Sequence, residues 1–473
     1  MLLKELFLFS KRTISLAEDI TLTRILFLSL LLIFIVGCDD NQSQKTSVYS
    51  SANFIAQANV LLDEYQSEST FMGSVVILKN GDPLLARTIG YANVSQRIFN
   101  SESTQYRIGS VSKSYTAALI FQAIEQEKLS LDTKLVEFFP NFPEAERITI
   151  EHLLQHRSGI ASYTKDPSFW EYHTVGISKS ELLSRVSNMP HGFAPGSGAE
   201  YSNSNYFLLA CILELIYNQS YSEVLRQQIT TPFNFANTAH PEWPNIRAEE
   251  ALSYQFSASW SELPNTHFSA SFGAGSLVTT ASDLANFMHQ LSTGNIVSEA
   301  SLRLMQSQKN GFGMGLELIS VAEQEGYGHG GKIDGYEAVA VHFAEGDITL
   351  AITANATTEN VKAIAVKLVK TYFGENKEPI TEKEASVYAG VYDATDSSSE
   401  KLVFIVEEGE LTLVIMNEFK ERLIYKGNGR FLFEQLHAAP MMFAFSSDGQ
   451  TVTQTQGNYE GTYVRQATAH EPD

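Results

Sequence analysis

The chain has 473 residues, 44% of them apolar and 18% charged, which is ample for a buried core and too long for one ordinary domain. Its 54 acidic side chains outnumber 33 basic ones, giving a formal net charge of -21 with no cluster of Lys and Arg. That balance argues against nucleic acid or an anionic membrane surface as a ligand, because phosphate recognition needs concentrated positive charge.

At the N-terminus, Arg24 precedes a run from Ile25 to Val36 that is apolar apart from Ser29. Twelve helical residues rise only about 18 Å, short of the roughly 30 Å hydrocarbon core, so the run reads as a secretory h-region rather than a stable anchor. Its ending, Ile35-Val36-Gly37-Cys38, resembles a bacterial lipobox, in which the Cys is lipidated and becomes the first mature residue. Asp39 beside it resembles the signal that retains some Gram-negative lipoproteins at the inner membrane. The expectation is a protein of the bacterial cell envelope, lipid-anchored through Cys38 and facing the periplasm or the exterior. Only Cys38 and Cys211 are present, so lipidation leaves no intramolecular disulfide, and Cys211 reads as a buried thiol.

Residues 1–37 are therefore expected to leave as a signal peptide, and 38–51 form a Ser-, Gln- and Asn-rich tether. A helix is expected over 52–66. A hairpin follows, Gly73 to Leu78 and Pro83 to Gly90, closed by Asn80-Gly81. Helical periodicity runs from Ser110 to about Glu127 and recurs at 204–217, 281–292 and 358–373. Ala338 to Phe343 and Ile348 to Thr353 read as strands around Glu345-Gly346. Strands at both ends with helices between predict a mixed α/β (α+β) domain over 52–373, an antiparallel sheet flanked by helices plus a helical region. A polar linker over 374–381 leads to short strands separated by turns, so 382–468 is expected to be a small all-β barrel or sandwich.

The chemistry begins at Ser110-Val111-Ser112-Lys113. Residues three apart share a helix face, so the Lys113 ammonium can reach the Ser110 hydroxyl, and a serine needs such a base to become a nucleophile. The pattern alone is weak, since Ser398 and Lys401 repeat it in a polar loop. Order adds the information. Tyr201-Ser202-Asn203 follows a Pro-Gly-Ser-Gly turn, and His329-Gly330-Gly331 comes later; of eleven histidines only His329 has Gly two residues on. A second Tyr-x-Asn, Tyr91 to Asn93, precedes Ser110 and reads as structural. His152 and His156 stand four apart, but lack a third ligand or an H-E-x-x-H frame, and are not read as a metal site. No G-x-S-x-G elbow, Walker loop or dinucleotide fingerprint occurs, and no cofactor is implied.

The ordered set S-x-x-K, Y-x-N and H-x-G resembles the penicillin-recognising serine hydrolases: class C β-lactamases, DD-peptidases, D-aminopeptidases and related esterases. The run Ile148 to Gly159 and the segment Ala274 to Leu284 are similar to the family's flanking elements, and the resemblance covers about 52–372. It implies a β-lactamase/transpeptidase-like fold and an acyl-enzyme on Ser110. Lys113 and Tyr201, alone or together, would handle the proton; serving as a base near pH 7 requires a pKa about three units below the ordinary value, Lys113 by burial and Tyr201 beside the Lys cation. Asn203 would orient Lys113 or the substrate. Backbone N–H groups of Ser110 and Lys332 would hold the oxyanion, with His329 and Gly331 on the substrate-binding side. Many relatives carry Lys where this chain has His329, a group mostly neutral at pH 7. This favours a small peptide, amide or ester, including D-amino-acid compounds, over β-lactam hydrolysis; a β-lactamase and a non-catalytic binding lipoprotein are the alternative readings.

Overall fold

The computed structural model describes residues 51–241, 249–374, 379–395, 401–415, 419–434, 440–457 and 459–466. The signal-peptide, tether and Cys38 expectations lie outside these residues, as does Ser398.

The run Phe-Met-Gly-Ser-Val-Val-Ile-Leu-Lys, rich in β-branched residues, forms strand β1 (Phe71–Lys79), buried on both faces except at its last residue. Asn80 and Gly81, both at positive φ, turn it into β2 (Asp82–Ile89). The other four strands come from the far end of the domain: β3 (Glu317–Val321), β4 (Gln324–Ile333), β5 (Tyr336–Phe343) and β6 (Ile348–Thr357). The six-stranded order is β2-β1-β6-β5-β4-β3, antiparallel at every pairing. Alternation sends Val75 and Ile77 to one face and Val76 and Leu78 to the other.

On the first face lie α1 (Ser51–Glu68) and α5 (Val361–Phe373), placed by Phe54, Ala58 and Leu62 at four-residue spacing and by Ile364 and Leu368. The second face packs against the helical region, built on α2 (Ser112–Glu125), α3 (Asn203–Tyr217) and α4 (Ala281–Ser292). Ala338, Ala340 and Ala351 line that face, which lets the helices approach closely. Most of α2 is buried, and its apolar character all round reflects a central position.

β4 departs from the expected pattern. The strand pattern legible in this part of the sequence begins at Ala338, yet His329 already lies inside a strand. The sequence Gly-Tyr-Gly-His-Gly-Gly has low β-propensity and hides the strand. Its glycines are needed for contact: a Cβ on Gly328 would come within 2.0 Å of the Ala340 carbonyl oxygen.

After residue 379 the chain forms a nine-stranded antiparallel sheet around Tyr392, Phe404, Phe431, Phe443 and Phe445. Its two edge strands, Phe419–Arg422 and Ile424–Tyr425, are separated by Leu423 alone. The two ends of the sheet thus meet at one residue, and the structure is a nearly closed barrel rather than a sandwich. Lys370 pairs with Glu434 at 3.3 Å and Lys426 with Glu323 at 2.6 Å, joining the barrel to α5 and the β3–β4 turn.

Candidate active site

Two glycines bring β4 against the turn that carries Ser110. Gly109 sits at φ +49°, and a Cβ there would lie 2.8 Å from the Lys332 backbone nitrogen. A Cβ on Gly331 would lie 2.0 Å from the Ile108 carbonyl oxygen and 2.8 Å from the Ser110 nitrogen. Ser110 itself occupies a 3-10 turn, Gly109–Val111, one step before α2. The expected helix therefore starts slightly later, but Ser110 and Lys113 still share a face.

Lys113 is fully buried, and its Nζ donates to Ser110 Oγ at 3.0 Å, Asn203 Oδ1 at 2.8 Å and the Ala274 carbonyl at 2.7 Å. Those three acceptors match the three donors of an ammonium. Burial nevertheless disfavours the cation and brings its pKa down to about 7, against an opposing pull from the Glu317 carboxylate. Tyr201 Oη donates to Ser110 Oγ at 2.7 Å. Burial raises the phenol above its ordinary value, the Ser110 hydrogen bond works against this, and Glu317 raises it further. This reverses the expected direction for Tyr201: loss of solvation outweighs any stabilisation of a phenolate by the neighbouring Lys, so Tyr201 holds its proton.

The two flanking runs noted in the sequence build the scaffold of this constellation. The Ile148–Gly159 run pins the tyrosine loop: Arg157 and Gly196 exchange two hydrogen bonds of 2.8 Å, and Glu200 N–H donates to the His156 carbonyl at 2.9 Å. The buried His156 ring lies 4.5 Å from the Tyr201 ring, and its Nδ1 accepts the Ser202 N–H at 3.1 Å. Burial and the nearby Lys113 hold His156 well below its ordinary pKa, so it is a neutral support. The Ala274–Leu284 segment supplies the carbonyl for Lys113, and its Leu277 N–H donates to Ser112 Oγ at 3.1 Å. Asn203 is fixed from behind, donating through Nδ2 to Thr164 Oγ1 at 2.9 Å.

His329 is buried, with Nδ1 2.6 Å from the Gly330 carbonyl oxygen and Nε2 3.7 Å from Glu317 Oε1. Burial lowers its pKa, the Glu317 charge opposing, which leaves the imidazole neutral at pH 7. A cleft of about 540 Å³ opens onto Ser110, Asn203 and Lys332; the described lining does not include His329 or Gly331. Lys332 pairs with Glu337 at 2.7 Å while its side chain stays largely exposed. Phe169, Trp170 and Tyr163 make an aromatic wall. That wall and Glu317 escaped the sequence reading because neither belongs to a local motif. Phe138 and Phe139 pack against the core. Tyr91 and Asn93 lie in a small two-stranded sheet, and neither is among the described cleft-lining residues.

With this geometry in place, the likenesses to known proteins fall into line. The family model described as Beta-lactamase matches residues 64–370. A penicillin-binding protein of Bacillus subtilis (strain 168) is 24% identical over 413 residues, covering 80% of this chain and 91% of the relative. A teichoic acid D-alanine hydrolase of Staphylococcus aureus is 26% identical over 233 residues, 49% of this chain and 56% of that protein. Among solved structures, the D-amino acid amidase of Ochrobactrum anthropi SV3 superposes with a TM-score of 0.59 at 22% identity, over 68% of this chain and 98% of its own. At that identity the superposition speaks for the fold alone.

Proposed function

The chain belongs to the beta-lactamase family, and from that premise we propose how its serine-hydrolase chemistry is divided among its residues and which substrates it takes. The observation that carries the reading is the placement of Ser110 Oγ between a buried amine at 3.0 Å and a protonated phenol at 2.7 Å.

Neutral Lys113 accepts the Ser110 proton as Oγ attacks a carbonyl carbon. The resulting oxyanion is held by the Ser110 and Lys332 backbone N–H groups, which the glycine contact brings side by side. Tyr201 passes its proton to the leaving group and is reprotonated from Lys113, so the amine returns to neutral as the acyl-enzyme forms. Water then resolves the ester with the same proton relay run in reverse. Asn203 orients Lys113.

Substrate preference follows from the cleft wall and from the third motif. The neutral, buried imidazole of His329 supplies no cation there, the Lys332 ammonium at the cleft is paired with Glu337, and the aromatic wall suits an uncharged or apolar group. Small amides, esters and D-amino-acid peptides fit better than β-lactams. The likeness to a teichoic acid D-alanine hydrolase supports this preference. The lipobox-like sequence at Cys38 supports export and lipid anchoring at the bacterial envelope; among the described residues no helix is long and apolar enough to cross a membrane.

Steady-state hydrolysis of a chromogenic cephalosporin, a p-nitrophenyl ester and a D-Ala-D-Ala peptide tests the preference. Ester or peptide turnover exceeding that of cephalosporin is expected. Rapid cephalosporin turnover with neither of the others cleaved would reverse it.

A further inference from the structure

Outside the cleft, three metal-capable side chains from separate elements converge. His289 lies in the last turn of α4, His342 near the end of β5, and Asp347 in the turn between β5 and β6. One ligand atom from each lies within 4.8 Å of the others. None of the three lines the cleft.

Two of their polar atoms are left unsatisfied although buried. His289 Nδ1 and Asp347 Oδ1 are both buried, lie 3.4 Å apart, and have no hydrogen-bond partner among the described residues. A buried polar atom without a partner is destabilising, so two that lie this close mark a place where something shared is expected. His342 Nδ1 lies 3.9 Å from the same Asp347 oxygen and 2.9 Å from Thr349 Oγ1. The Nε2 edge of His289 faces the hairpin turn, where a Cβ on Gly81 would come within 2.7 Å of it, so Nδ1 is the nitrogen presented to the cluster.

We propose that His289, His342 and Asp347 form a divalent transition-metal site, with zinc the best match, in which the ion ties α4 to the β5–β6 turn. Ligand bonds of about 2.0–2.1 Å set tetrahedral ligand–ligand edges of roughly 3.4 Å. The His289–Asp347 separation already has that length, and the wider His342 separations close by rotation of its side chain. Two imidazoles and a carboxylate suit zinc better than magnesium or calcium, which prefer all-oxygen shells. Water fills the fourth position, reached past Asp347, whose side chain is 37% exposed. Thr349 releases His342 Nδ1 when the ion binds and remains beside it as a hydroxyl neighbour.

The purified full chain, stripped with chelator and titrated with zinc chloride, is expected to bind one zinc per chain and to melt at a higher temperature when loaded. Asp347→Asn and His289→Gln should each weaken that binding at least about tenfold, while ester hydrolysis by the unloaded variants, which reports their folding, stays at the parent level. Cobalt(II) in place of zinc should give the intense visible absorption of a tetrahedral ion, lost in both variants. If the parent takes up no zinc, or if both variants retain the parent's stoichiometry and affinity, the three residues are an ion-pair cluster and the proposal fails.

Discussion

Tyr201 donates its phenolic proton to Ser110 across 2.7 Å, so the nucleophile's oxygen accepts from the phenol while Lys113 Nζ reaches the same atom at 3.0 Å. Burial pushes these two partners to opposite ends of their proton chemistry. It destabilises the ammonium of Lys113, lowering its pKa to about 7, and destabilises the phenolate of Tyr201, raising its pKa. A neutral amine and a neutral phenol are thereby both available near pH 7, one to accept and one to give.

The first consequence concerns pH. In the proposed mechanism the base is the neutral amine, whose fraction grows as pH rises, so kcat/KM for an ester should climb through about pH 7 and then level off. The Glu317 carboxylate raises the Lys113 pKa, so Glu317→Gln should move this acid limb to lower pH. A limb that stays in place, or moves upward, would show that another group titrates there.

Lys113 should also weigh on stability. Its folded pKa of about 7 lies below the ordinary 10.5, so between these values the unfolded chain binds more protons and stability rises with pH, by up to about 1.4 kcal/mol per unit. Below about pH 7 the penalty is fully present; above 10.5 it is gone. Lys113→Met removes that titration and leaves the Asn203 and Ala274 oxygens without their donor, an offset that does not titrate. Urea unfolding of parent and variant should show the variant's relative stability falling steadily from pH 7 to 10. A difference independent of pH would mean the buried amine is not the titrating group.

Gly331→Ala isolates the contact between β4 and the Ser110 turn. The added methyl would meet the Ile108 carbonyl at 2.0 Å, which nothing but a backbone shift can relieve. Since a misplacement of about 1 Å can cost roughly a hundredfold in rate, kcat should fall by about two orders of magnitude in a protein whose circular dichroism is unchanged. Full activity would contradict the proposed position of the oxyanion donors.

The proposed lipid anchor rests on Cys38. Radiolabelled palmitate should enter the parent chain and not Cys38→Ser when each is expressed in a bacterial host. Incorporation that persists in the variant would remove the lipid anchor from the reading.

Motifs carried by local order were legible before the fold was known. Ser110 and Lys113 lie one helical turn apart whatever surrounds them, and Tyr201 and Asn203 announce themselves by the turn and helix that bracket them. Four strands of the six-stranded sheet were legible and β4 was not, because the glycines of β4 that permit close backbone contact also erase the β-branched pattern a strand normally displays. Glu317 and Trp170 reach the site from segments with no motif of their own. The sign of the Tyr201 shift depends on how deeply the phenol is buried, which spacing does not encode. The His289, His342 and Asp347 cluster is invisible for a related reason: α4 and the β5–β6 turn are far apart in the chain and meet only in the packed protein.

The division of roles stands on Ser110 as nucleophile, and intact-mass spectrometry tests it most directly. The parent, treated with a fluorophosphonate or caught during slow ester turnover, should gain one adduct, mapped by peptide fragmentation to Ser110, and Ser110→Ala should gain none. An adduct of equal yield in Ser110→Ala, or one mapped to another residue of the parent, would contradict the assignment.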